Sequence, residues 1–140
     1  MGKMIGVVYA VPLELTNRLF DGKTKVFVKV TGHESTKLLP KHKIVFYASH
    51  GEKKLIGEGV IEKVEFLNPT QILSKYKQDL FIDEQEFLNY VGKRQRILTL
   101  QLRGLKKYHK SIQSNEVITM AGKYLTSEQY ESLINEKNKT

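Results

Sequence analysis

The sequence predicts one small α+β domain in which a curved sheet carries the core and short helices flank it. Three observations predict this. Runs of β-branched and aromatic residues recur at strand length along the chain. One of them holds two glycines, Gly57 and Gly59, where a strand bulges or bends as a small barrel requires. Helix-start signals at Asn68-Pro69, Asp83 and Thr126 fall between or after the strands. The length of 140 residues suits a single hydrophobic core. With no repeat, linker or low-complexity tract, residues 1–140 are expected to form one unit.

In order, Ile5 to Ala10 reads as a buried strand. Pro12 suits a first helical turn, Leu15 and Leu19 share a helix face, and Gly22 suits the left-handed end of that helix. From Lys25 the period becomes two, with Val26, Val28 and Val30 on one face and Lys25, Phe27, Lys29 and Thr31 on the other, a half-buried strand. Gly32 to Lys43 reads as a loop. Ile44 to Ala48 is a central strand covered on both faces, joined through Gly51 to a second run from Leu55 to Phe66.

Asn68-Pro69 starts a helix with Ile72, Leu73 and Tyr76 as its apolar stripe. Asp83, with Glu86 as its capping-box partner, starts another that Gly92 ends. Ile97 to Arg103 alternates, with Leu98, Leu100 and Leu102 inward and Ile97, Thr99, Gln101 and Arg103 outward. Lys106 to Ser114 reads as a basic loop and Val117 to Met120 as a short strand. Thr126 and Gln129 form a capping box for a last helix carrying Tyr130, Leu133 and Ile134, and residues 135–140 should fray.

Several classes are set aside on composition. With no cysteine, disulfides, zinc ribbons and thiol nucleophiles are excluded, which fits a reducing, cytoplasmic setting. The longest apolar stretch, Met4 to Leu13, is about half the roughly twenty residues a membrane helix needs. His33, His42, His50 and His109 show no metal-ligand spacing, and Gly57-Glu58-Gly59 lies inside a strand instead of before a helix, so neither a metal nor a phosphate-bound cofactor is expected. Ser49-His50 lacks a nucleophile elbow, and adjacent strand residues point to opposite faces. Glu58 and Glu62 share a strand face, but charged residues on one exposed face are the commoner reason for such a pair.

Charge gives the positive signal. The formal net charge is +8, and between Glu86 and Glu116 there is no acidic residue while Lys93, Arg94, Arg96, Arg103, Lys106, Lys107 and Lys110 all fall there. Such a block attracts polyanions by counterion release. Tyr108 and His109, set among Lys106, Lys107 and Lys110, are placed to stack on unpaired bases, as in single-stranded or looped RNA recognition. Phe27 between Lys25 and Lys29 makes a second aromatic-basic face, although a phenylalanine there is more often core.

Two stretches resemble a known group. Pro12 to Lys29, through Gly22-Lys23-Thr24, and the run Val45-Phe46-Tyr47-Ala48-Ser49-His50 leading to Ile56-Gly57-Glu58-Gly59-Val60-Ile61 look like the PUA-like superfamily, in particular its ASCH branch, and its small archaeal members. The resemblance implies a curved pseudo-barrel of five or six strands with three or four flanking helices. It also implies binding of RNA or a modified base in a cleft beside the first helix, with Gly22, Lys23, Thr24, His50 and Glu58 near its rim. At the motif's lysine, glutamate and arginine positions stand Thr24, Phe27 and Lys29, so its charge-paired core is absent and hydrolysis through that glutamate is not implied. The expectation is an RNA-binding domain without catalysis. The alternatives are a small ASCH-type hydrolase or nucleotide-processing enzyme using Lys23, Thr24 and Glu58, and an accessory subunit docking on an RNA-containing assembly.

Overall fold

The computed structural model describes residues 3–31, 36–49, 53–114, 118 and 122–137. Six strands, β1 (Met4–Pro12), β2 (Val26–Lys29), β3 (Lys43–Ser49), β4 (Lys54–Leu67), β5 (Ile97–Gln113) and β6 (Lys123–Thr126), form one mixed sheet in the order β2-β5-β4-β3-β1-β6. Only β1 and β3 run parallel; the other neighbours are antiparallel. Four helices, α1 (Thr16–Leu19), α2 (Pro69–Tyr76), α3 (Glu84–Val91) and α4 (Ser127–Lys137), complete the described structure. None is long and apolar enough to cross a membrane.

The sheet curls because β4 and β5 are irregularly paired. Their register shifts three times, between Leu55 and Gly57, Glu58 and Val60, and Ile61 and Lys63, and each shift bends the ladder. The curl brings together strands far apart in the ladder: Phe27 of β2 stacks on Tyr9 of β1 with ring centroids 5.7 Å apart, and meets Phe46 of β3 edge-on at 5.6 Å. These rings join Val7, Val11, Ile44, Ile61, Leu98, Leu100 and Leu102 in an inner core drawn from five strands. Fully burying each such side chain contributes about 1.5–3 kcal/mol.

The outer face is covered as well. Val26, Val28 and Ile97 pack under α2 and α3 through Ile72, Phe87 and Val91. Val8, Val45, Tyr47, Leu55, Tyr108 and Ile112 pack toward Tyr130 and Leu133 of α4. Consequently β2 is buried at all four positions instead of half buried, and Ile97 and Thr99, expected to face outward into solvent, are covered.

The helix starts at Asn68, Asp83 and Thr126 hold. Asn68 with Gln71, Asp83 with Glu86 and Thr126 with Gln129 each exchange side-chain and backbone hydrogen bonds reciprocally. Other expectations change. Pro12 ends β1 opposite Ser49, and the following helix shrinks to a 3-10 turn, Leu13–Leu15, and the four-residue α1. The basic stretch Lys106–Ser114 is mostly strand, because β5 runs on for 17 residues against β4. The strand expected at Val117–Met120 lies, apart from Ile118, outside the described residues, and the observed last strand is β6.

At Gly57 a Cβ would sit 2.3 Å from the Phe20 ring and 2.6 Å from the Lys106 carbonyl oxygen, a backbone atom that has little room to move. Gly57→Ala is expected to lower stability by about 1–3 kcal/mol, read as a lower midpoint in urea with an unchanged slope.

Candidate functional site

A mouth remains where the curled sheet fails to close. Among the described residues β6 pairs with β1 only as far as Val8, so Tyr9 to Pro12 have β3 on one side and no described strand on the other, and β2 faces that stretch. Among the described residues, side chains bridge this seam: the Tyr9–Phe27 stack, a second stack of Phe27 on Phe81 at 5.4 Å, and Lys29, whose Nζ lies 5.3 Å from the Tyr9 ring centre. Gly122, at φ +79, lets β6's approach pass against the Tyr9 ring, which a Cβ would strike at 2.5 Å.

Two cavities flank the bridge. One, of about 200 Å³, is walled by the β1 edge from Ala10 to Pro12, by Phe27, Val28 and Lys29, and by Phe81, Glu86 and Tyr90. The other, of about 510 Å³, is lined by Tyr9, Thr31, Thr36, Lys37, Phe66, Lys123 and Tyr124 among others, without a carboxylate among its described residues. Lys37 Nζ sits 6.0 Å from the Tyr124 ring centre, and the Arg96 guanidinium stacks at 4.5 Å over Phe66. The rim therefore alternates cations with aromatic faces.

Lys29 is the unusual group. Only 5% exposed, it forms no ion pair with any described carboxylate. Burial lowers its pKa from the ordinary 10.5, because a desolvated ammonium is penalised. Three tyrosines ring the site. Burial, then Tyr124 and Tyr90, push the Tyr9 hydroxyl up to about 12. Burial also raises that of Tyr90, against the opposing pull of Arg94 and of the hydrogen bond that Val30 N–H donates to its oxygen at 2.9 Å. The Tyr9 and Tyr90 hydroxyls thus stay protonated beside the buried cation.

The structure brings three of the expected binding residues, Lys29, Arg94 and Arg96, to this seam and separates the rest. Lys29 points into the barrel and not onto an outer face, because Phe27 beside it alternates with Val26 and Val28 under the helices. Lys23 and Lys25 are exposed on the turn before β2; there Gly22 adopts φ +86, Asp21 accepts the N–H groups of Lys23 and Thr24, and the Thr24 hydroxyl donates to the Arg18 carbonyl at 3.0 Å. Arg103 pairs with Glu62 at 3.8 Å. Lys106, Lys107, His109 and Lys110 are exposed on the far half of β5, roughly 30 Å along the strand from Arg96 at about 3.3 Å per residue. One short footprint does not cover both groups. His50 lies outside the described residues.

Tyr108 and Glu58 are corrected. Tyr108 is 5% exposed, not a stacking platform, and its hydroxyl donates to Glu58 at 3.1 Å. Glu58, itself 3% exposed, also accepts from Tyr130 at 2.8 Å and faces Lys43 at 3.5 Å, so it fastens α4 to the sheet. Burial, reinforced by Glu58, raises both tyrosine pKa values. Gly57 faces Phe20 after α1, so its neighbour Glu58 faces the other side of the sheet, away from Lys23 and Thr24. The hydrolase constellation is not assembled. Glu62 and Glu65 are likewise committed, to Arg103 and to the Tyr76 hydroxyl.

Sequence reasoning missed Tyr9, Tyr90, Tyr124, Phe81, Lys37 and Lys123. The available signal was tyrosine itself: a tyrosine inside an apolar strand such as β1 needs a polar outlet for its hydroxyl.

An incompletely closed, curved mixed sheet with helices outside is the fold of ASCH, PUA-like proteins. The solved structures agree. The ASCH protein of Zymomonas mobilis superposes with a TM-score of 0.79 at 18% identity, covering 94% of each chain. A single-residue variant of it gives 0.81 at 17%, covering 94% of this chain and 97% of that one. The N-terminal domain of Staphylothermus marinus McrB gives 0.58 at 15%, covering 96% and 98%. The chain belongs to the family described as domain of unknown function DUF365, whose model matches residues 4–127. A relative in the archaeon Methanocaldococcus jannaschii, uncharacterized protein MJECS03, is 38% identical over 104 residues, 66% of this chain and 96% of the relative.

Lys29 also supplies a pH test. With its folded pKa below its unfolded one, the unfolded chain binds more protons between the two values, so stability rises with pH across that window. Lys29→Met has no such proton and is expected to flatten the rise and to unfold at a higher temperature near neutrality. The comparison is made below pH 10, before the raised tyrosines contribute the opposite slope.

Proposed function

We propose that this protein binds single-stranded or looped RNA across the barrel seam, without transforming it. The observation that carries the reading is the Lys29 ammonium, buried on the wall of the smaller cavity, against the Tyr9 ring and without an ion pair to a described carboxylate. A desolvated cation of this kind is best satisfied by an incoming anion or an electron-rich carbonyl.

The remaining parts fit a nucleotide. The smaller cavity, walled by Phe27 and Phe81, has room for one base, and the open edge of β1 from Ala10 to Pro12 borders it with backbone. Tyr124, 41% exposed on the larger cavity's wall, offers a stacking face. Lys37, Arg96 and Lys123 stand where the phosphates of adjoining nucleotides would cross the rim. The class resemblance favours RNA over other polyanions. No cofactor is required for binding of this kind.

The test is binding of a mixed-sequence, single-stranded RNA followed by fluorescence anisotropy over a salt series. Affinity should fall linearly in log–log form, and the triple change K37A/R96A/K123A should reduce that slope by about 2, at roughly 0.7 per phosphate contact. Tyr124→Ala should cost about 1–3 kcal/mol if a base stacks there. Affinity should also weaken as pH rises through the lowered Lys29 pKa, since the neutral amine attracts no anion. Salt-independent binding, or a triple variant that binds like the parent, would remove the reading.

A further inference from the structure

Around Lys29 the smaller cavity is walled by hydrocarbon. Val11, Pro12, Leu15, Phe27, Phe81 and Ile82 supply aliphatic and ring faces, and Lys29 is the only amine among the lining residues. At about 200 Å³ it exceeds the apolar cavity of roughly 150 Å³ that takes one benzene molecule. A benzene ring with a one-carbon substituent is therefore within its size.

The amine has no ionic partner among the described residues. Its Nζ lies against the Tyr9 ring at 5.3 Å, and Glu86 on the cavity wall is taken by Arg18 at 2.6 Å and by the Asp83 N–H at 3.0 Å. Burial lowers the Lys29 pKa, so a larger share of this amine than of an exposed lysine is neutral and carries a free lone pair. Tyr90 adds a proton donor on the same wall. Its oxygen accepts the N–H of Val30, the residue after Lys29, at 2.9 Å, and its own O–H donates to no described group. Burial raises the Tyr90 pKa above its ordinary 10.0, which keeps that proton in place.

A desolvated amine, an apolar cavity and a free O–H donor are the parts that carbonyl condensation needs. We infer that Lys29 captures a small, uncharged, apolar aldehyde in this cavity as an imine, with Tyr90 as the proton donor. The Nζ lone pair forms a bond to the carbonyl carbon while the C=O π bond breaks. The oxygen takes the Tyr90 proton, and the nitrogen returns one to the tyrosinate. The resulting hydroxyl then leaves as water with the Tyr90 proton, and the nitrogen again restores it. The balance is RNH2 + R'CHO → RN=CHR' + H2O, without oxidant or reductant. Hydrocarbon walls give a charged or sugar-borne aldehyde nothing in exchange for its water, which confines the class to apolar ones. RNA binding and capture use the same amine in opposite states: an anion needs the ammonium, an aldehyde the neutral amine.

The probe is benzaldehyde with cyanoborohydride, which reduces the imine to a stable benzylamine, and peptide mass mapping of the full chain locates the label. Lys29 should be labelled at least about tenfold faster than exposed Lys25 or Lys106, since seating in the cavity makes the attack effectively unimolecular. Lys29→Met, expected to be the more stable protein, should leave no preferred lysine, a loss that misfolding does not explain. Tyr90→Phe should label Lys29 about a hundredfold more slowly, the scale of a lost general acid. Between about pH 6 and 9, labelling should rise while RNA affinity falls. The described titratable and charged groups around Lys29 are Tyr9, Glu86 with its partner Arg18, Tyr90, Tyr124 and Arg94, and the raised Tyr9 and Tyr90 hydroxyls stay protonated over that range. Labelling of Lys29 no faster than Lys25 would overturn capture, and Tyr90→Phe labelled at the parent rate would overturn its proton donor. Pyrene carboxaldehyde is too large for the cavity, and a preference of it for Lys29 would place the reaction elsewhere. An abasic RNA that cross-links to Lys29 when benzaldehyde does not would overturn the substrate class. RNA affinity without labelling removes this inference alone, and labelling without RNA affinity removes only the binding reading.

Discussion

The stack of Phe27 on Tyr9 is the contact on which the rest of the molecule depends. Three strands separate β2 from β1 in the ladder, yet their side chains meet, so the sheet has curled nearly into a ring with no backbone bond among the described residues to close it. Closure by rings instead of a ladder leaves a mouth, and whatever lies behind the rings is desolvated. Lys29 lies there. A lysine on an exposed strand face would be unremarkable; placed behind Phe27 and against Tyr9 it becomes a cation in need of a partner.

The sheet's irregularities make that geometry possible. Regular pairing between β4 and β5 would give a flatter, gently twisted sheet, and its two edges would stay apart. Register shifts around Gly57 and Gly59 bend it, and the tight approach of Phe20 to Gly57 seats the end of α1 in the bend. Glu58 does the complementary work on the other face, where it gathers Tyr108, Tyr130 and Lys43 and holds α4 across the sheet. The carboxylate that resembled part of a reactive cleft is a fastener, and breaking it would take from Tyr108 and Tyr130 the acceptor that both hydroxyls share.

Much of the fold was legible because it follows from local rules. Helix starts at Asn68, Asp83 and Thr126 are written in three-residue reciprocal bonds, and the alternation of Leu98, Leu100 and Leu102 gives the inner face of β5 directly. The errors share a cause. Lys29 looked solvent-facing and Lys106 to Ser114 looked like loop because period and polarity describe one strand at a time. Whether a polar position faces solvent, a cavity or a free edge depends on which strands lie beside it, and that is fixed by contacts between residues far apart in sequence. The site was harder still: Tyr9, Tyr90 and Tyr124 come from β1, α3 and β6, and no spacing within any one element relates them.

The charge block itself divides along this line. Read as sequence, Arg94 through Lys110 is one cationic segment; folded, one end stands just before β5 and the other far along it, and they face different surroundings. Arg94 and Arg96 stand beside aromatic rings at the mouth, Arg96 stacked over Phe66 and Arg94 near Tyr90. Lys106, Lys107 and Lys110 stand exposed far along β5 with no ion pair to a described carboxylate, because the carboxylates nearest in the ladder, Glu58 and Glu62, are held by Tyr108, Tyr130 and Lys43 and by Arg103. One run of like charge in the sequence therefore becomes two surfaces with different neighbours, and a property measured at one says nothing of the other.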